Sequence, residues 1–169
     1  MSNGDTQPLL ACRNVFKYFG GLAAVNDFDL NVYPGDVVGI GGPNGAGKTT
    51  FLDVISGINP ATSGSIALDG VPIANKKPDA ICHLGISRTF QLNAGFESMS
   101  IRENTLVGAS FGLGDKGWFP RMTYTKLMHE RVDRALELCR LQDHADLIVR
   151  DLPVLDRKLL MMAGALATE

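Results

Sequence analysis

The chain has 169 residues, 45% of them apolar, and a formal net charge of −2. Its length suits one domain, or one domain with a subdomain, and its charge leaves no basic footprint for nucleic acid, which is not expected as a partner. The polar residues 1–8 lack the charged and apolar regions of a signal peptide, and no apolar run approaches the length of a membrane span.

Residues 9–16 read as a first strand, and residues 28–32 alternate like a half-buried second one. A turn at Pro34-Gly35-Asp36 precedes Val37-Val38-Gly39-Ile40, a short apolar run that reads as a buried strand. Next comes Gly42-Pro43-Asn44-Gly45-Ala46-Gly47-Lys48-Thr49, which fits the phosphate-loop pattern G-x-x-x-x-G-K-[ST] with no mismatch. The pattern should arise by chance in under ~1% of chains this long. Residues 49–56 read as the helix that follows, with Gly57 as its stop. Strand, glycine-rich loop and helix are the context that gives the pattern its meaning.

The chemistry follows from the residue types. Gly42, Gly45 and Gly47 allow backbone conformations that a Cβ would forbid, so successive N–H groups can form an anion nest. A helix beginning at Lys48 adds the positive end of its dipole. Lys48 supplies a full charge to the outer phosphates, and the Thr49 hydroxyl suits Mg²⁺; Thr50 completes the phosphate-binding set. Micromolar binding needs roughly 8 kcal/mol, and a helix terminus gives at most ~2. Nest, lysine, metal and a grip on the base are therefore needed together.

Further along, residues 63–70 read as a short strand between turn signals, and residues 85–90 as another that runs into Gln91. From about Glu97 the pattern turns helical. Residues 101–107 form one predicted helix. In a second, Met128, Val132, Ala135, Leu136 and Cys139 recur with the spacing of a single apolar face. That face fits packing within its own subdomain better than a partner. Between them, the glycines of residues 108–120 predict a mobile loop, with Trp118 packing locally. Cys12, Cys82 and Cys139 fit neither a disulfide framework nor a zinc site and read as small apolar residues; His83, His129 and His144 are isolated, with no metal role expected.

Several positions now line up. Lys17-Tyr18-Phe19-Gly20-Gly21-Leu22-Ala23-Ala24-Val25 stands before the loop. Gly85-Ile86-Ser87-Arg88-Thr89-Phe90-Gln91 stands beyond it, followed by Phe96, Met99, Ser100, Ile101, Glu103 and Asn104. Together they resemble the ATP-binding subunits of ABC transporters, most of all the branched-chain amino acid importers. The resemblance covers essentially the whole chain. It implies an α/β P-loop fold of ABC type, with an antiparallel β subdomain, a helical subdomain and a sheet left incomplete at the C-terminus. Residues 1–96 would form the nucleotide-binding core and 97–169 an incomplete helical subdomain.

The resemblance also implies roles. Phe19 falls where the family stacks an aromatic on the base, a contact worth roughly 1–3 kcal/mol. Gln91 falls at the glutamine that ligates Mg²⁺ and orients the attacking water. ATP and Mg²⁺ are the implied ligands. Membrane permease subunits and a second ATP-binding subunit, the same or different, are the implied partners, at the cytoplasmic face of the membrane. The absence of an Asn-Lys-x-Asp motif speaks against a GTPase.

The chain departs from the family at Leu152-Pro153-Val154-Leu155-Asp156, where Leu-Ser-Gly-Gly-Gln belongs. Pro153 lacks an N–H and Leu155 is bulky, which weighs against closure over a partner's γ-phosphate, while some members of the importer group carry variant signatures. Residues 147–151 are interrupted by Arg150 and read as a helix end or loop rather than a strand bearing the family's Mg²⁺-associated acid. That acid, the catalytic glutamate and the switch histidine do not follow. The chain is therefore expected to be a fragment of a longer protein that does not hydrolyse ATP alone, since a general base is commonly worth ~10² to 10⁴-fold. A module that binds ATP without turnover, and an ABC protein outside transport, are the competing readings.

Overall fold

A computed structural model describes residues 7–90, 95–112 and 126–168. The chain divides into two compact units, Met1–Leu84 and Gly85–Glu169.

The first unit is built on an antiparallel sheet of β1 (Leu10–Phe19), β2 (Leu22–Val32), β3 (Ser63–Leu68) and β4 (Val71–Pro72), in the order β2-β1-β3-β4. β1 and β2 form a long hairpin that pairs Leu10 with Val32 at one end and Phe19 with Leu22 at the other. Asp69 and Gly70, both at positive φ, make the two-residue turn from β3 to β4. Pro72 ends β4 on the sheet edge, where its missing N–H costs no ladder bond.

Helix α1 (Lys48–Ile55) packs on this sheet through Phe51 and Val54, both buried. The Phe51 ring lies 4.4 Å from that of Phe28 on β2, centroid to centroid. Gly57, at φ 76°, ends the helix by donating to Val54 O, and Ile58 N donates to Asp53 O. A short helix α2 (Pro78–Cys82) buries Ile81.

Two predicted strands do not form. Residues 37–40 and 86–90 are irregular, Val37 is fully exposed and Val38 is 44% exposed. A strand persists only where a neighbour takes up its N–H and C=O groups, and among the described residues no ladder is made to either segment. Every ladder that does form is antiparallel.

The second unit contains α3 (Ile101–Gly112), α4 (Lys126–Leu138) and α5 (Val154–Leu166) around one core. The five apolar positions predicted for the α4 face are all buried. Ser100 and Glu103 cap α3 reciprocally. Ser100 N donates to Glu103 Oε2 at 2.7 Å, and Glu103 N to Ser100 Oγ at 3.2 Å.

Residues 108–112 belong to α3, which corrects the predicted start of the glycine-rich loop. At Gly108 the helix meets α5: a Cβ there would lie 2.2 Å from the Gly164 carbonyl oxygen. Close helix approach, not loop freedom, explains this glycine. The rest of that stretch, with Trp118, lies outside the described residues.

Candidate functional site

The phosphate loop joins residue 41 to the first turn of α1. Its end is fixed by Gly47, the α1 N-cap, at φ 81° and ψ 3°. A Cβ at Gly47 would stand 2.0 Å from the Ala24 carbonyl oxygen of β2, so the backbone of the loop rests directly on the sheet. Only glycine meets both demands, a left-handed backbone and no Cβ. The loop is closed from within as well: Ala46 N donates to Pro43 O at 3.2 Å.

Phe51 N donates to Gly47 O, the first bond of α1. The N–H groups of Lys48, Thr49 and Thr50 therefore precede the helical ladder and have no partner within it. They stand at the positive end of the helix, which is the arrangement that receives a phosphate. Lys48 reaches back over the loop, and its Nζ donates to Gly42 O and Pro43 O, both at 2.7 Å. Thr49 is exposed on the first turn and Thr50 is half-buried. Backbone donors, an ammonium and a neighbouring hydroxyl form a donor set that fits a phosphate with a hard cation.

A cleft of about 310 Å³ opens beside the loop, lined by Gly45, Ala46, Gly47 and Lys48 and by Ala23 to Asn26 of β2. No carboxylate lines it among the described residues. Gly42, Pro43 and Asn44 are exposed on the outer side of the loop.

Phe19 closes β1 at the tip of the hairpin and does not line this cleft. Its ring is 47% exposed, with Lys17 Nζ 4.7 Å from the centroid. Tyr18, the neighbouring candidate, is engaged elsewhere. Its ring stacks on Phe16, and its N–H donates to Thr62 Oγ1. Gln91 lies outside the described residues.

In the second unit the altered stretch is well ordered by contacts that residue types alone did not disclose. Pro153 caps α5 with no side-chain bond, Leu152 is buried, and Val154 and Leu155 are exposed. Arg157 straps the approach: Nε donates to Leu152 O at 3.1 Å, Nη2 to Arg150 O at 2.6 Å, and Nη1 lies 3.7 Å from Glu97 Oε1. Residues 147–151 run through a bend, a single antiparallel bridge from Ile148 to Ser100 and a 3₁₀ segment, so they form no strand, as expected of a helix end or loop. Asn104 is a second unforeseen clamp. It accepts from Phe96 N and donates to the carbonyls of Phe96 and Ser100. The Ser-x-x-Glu spacing at Ser100 would have located this helix start; nothing in the sequence points to the contact of Gly47 with Ala24.

A family model described as ABC transporter matches residues 25–169. The chain is 34% identical to the probable branched-chain amino acid transport ATP-binding protein LivG of Methanocaldococcus jannaschii, over 97% of this chain and 65% of that protein. It is 34% identical to the high-affinity branched-chain amino acid transport ATP-binding protein LivG of Escherichia coli K12, over 97% of this chain and 67% of that one. Among solved structures, the ADP conformation of an ATP-binding cassette of an ABC transporter superposes with a TM-score of 0.83 at 31% identity, over 96% of this chain and 66% of that one. The chain thus spans about two thirds of the length of these relatives.

Proposed function

The chain belongs to the ABC transporter family, and on that premise we propose that it is the ATP-binding part of an importer subunit that energises uptake of branched-chain amino acids or similar small solutes. The observation that carries this reading is the phosphate loop seated on the α1 N-terminus, with Lys48 folded over it. The two LivG proteins it resembles supply the solute class.

In this reading the N–H groups of residues 45–50 cradle the β- and γ-phosphates. Lys48 leaves its two loop carbonyls for phosphate oxygens, because an anionic oxygen adds full charge–charge attraction to the hydrogen bond and a neutral carbonyl does not. Phe19, exposed at the hairpin tip, stacks on the adenine. Thr49 and Gln91 would hold Mg²⁺, which would neutralise phosphate charge. Gln91 also orients the attacking water. Residues 1–96 serve as the nucleotide-binding core and 97–169 as the helical subdomain. The partners are permease subunits and a second ATP-binding subunit. No described helix is long and apolar enough to cross a membrane, which fits a peripheral position on the cytoplasmic face.

One observation favours a second reading, binding without turnover: among the described residues no carboxylate lines the cleft to serve as a base. Phosphate release separates the two. The importer reading expects ATP-dependent uptake of labelled leucine into vesicles holding the full-length protein, its permease and its partner subunit, with phosphate released. Nucleotide binding with neither uptake nor phosphate release in that assembly would favour the second.

A further inference from the structure

We propose that the groove between α4 and α5 is a second ligand site, for a small organic carboxylate with an apolar body. It uses none of the residues assigned to the nucleotide.

Helix α4 carries two stripes. One enters the core through Met128, Val132, Ala135 and Leu136. Beside it run Leu127, Arg131, Arg134 and Leu138, at i, i+4, i+7 and i+11, which places them along one neighbouring face. The two ends of that face are apolar and exposed, Leu127 at 48% and Leu138 at 63%, and its middle is cationic. Leu166 of α5 stands across from it, and the groove so formed has a volume of about 340 Å³. That falls at the small end of the ~300–1,000 Å³ typical of ligand sites.

The charge in this groove is not balanced locally. Glu130 is the one carboxylate among its lining residues, and Lys126 Nζ lies 3.4 Å from it. Of the other acids on α4, Asp133 is bound by Arg102 at 2.6 Å, and Glu137 is exposed and does not line the groove. Among the described residues neither Arg131 nor Arg134 has an acidic partner. Nη1 of Arg131 is shut off from water with no acceptor. A guanidinium N–H desolvated in this way is unfavourable until an anion reaches the side chain. The planar fork of arginine suits a carboxylate in particular. Leu127, Leu138 and Leu166 then give the rest of such a molecule an apolar surface.

The test is titration of the full chain with octanoate, against octanol and acetate as probes lacking the charge or the apolar body. Octanoate should bind saturably with and without ATP present, and at least about tenfold more tightly than either comparator. Arg131→Gln and Arg134→Gln should each weaken it about fivefold or more, and the double variant should abolish it, with nucleotide affinity and melting temperature unchanged. If the double variant fails to fold, Leu138→Asp on the exposed rim should weaken octanoate by a similar factor through like-charge repulsion. Equal binding of octanol, or octanoate binding that survives these changes, would overturn the proposal. So would a groove that ignores octanoate and takes up an acidic peptide, which would give the site to a protein partner.

Discussion

Lys48 binds its own loop through Gly42 O and Pro43 O, so the residue with most to give a phosphate is held in place by bonds weak enough to exchange. Phe19 presents the opposite case, an exposed ring on a fixed strand end. If it grips the base, Phe19→Ala should weaken ATP by ~1–3 kcal/mol and leave inorganic triphosphate nearly unchanged; equal losses in parallel titrations would remove Phe19 from the site. Cys12 gives a third test, on stability. It is wholly buried in β1, and burial pushes its thiol from 9.0 up to about 11. Below pH 9 the thiol is neutral folded and unfolded, and its contribution is intact. Between pH 9 and 11 the unfolded chain ionises first, so stability falls by roughly 2 kcal/mol as pH rises through that window. Denaturant melts at pH 8 and pH 11 should show Cys12→Ala losing less than the native chain over this interval. Identical losses would mean that the thiol does not titrate this way.

At the scale of elements, legibility followed the range of the forces. The apolar stripe of α4 repeats within thirteen residues, and its burial could be read directly from spacing. Asp69 and Gly70, read as the end of a strand, instead turn the chain from β3 to β4. Residues 37–40 are apolar enough for a strand, but a strand is a relation between segments, and their composition does not say whether a neighbour is present. Gly108 was misread for the same reason: its partner, Gly164, stands 56 positions away in sequence. Here two effects oppose. Gly108→Ala should gain up to ~1 kcal/mol in helix propensity, but overpacking against α5 costs typically 1–3 kcal/mol. With a Cβ set 2.2 Å from a backbone oxygen, the clash should win, and a thermal melt should show net destabilisation. A more stable Gly108→Ala would contradict the close crossing of α3 and α5.

For the whole molecule, the motif residues identified the family before any contact was known, because Gly42 to Thr49, Phe19 and the 85–91 run each carry chemistry in their side chains and spacing. What they did not convey is how the chain supports them: the loop on the Ala24 carbonyl, Arg157 and Asn104 strapping the segments that lead into α5 and α3. Every role proposed for the chain presumes that this loop holds ATP. Calorimetric titration of the chain with ATP and Mg²⁺, beside Lys48→Ala, tests it most directly. Saturable binding that Lys48→Ala abolishes, with the melting temperature retained, is the result predicted; the same affinity in both chains would contradict the assignment.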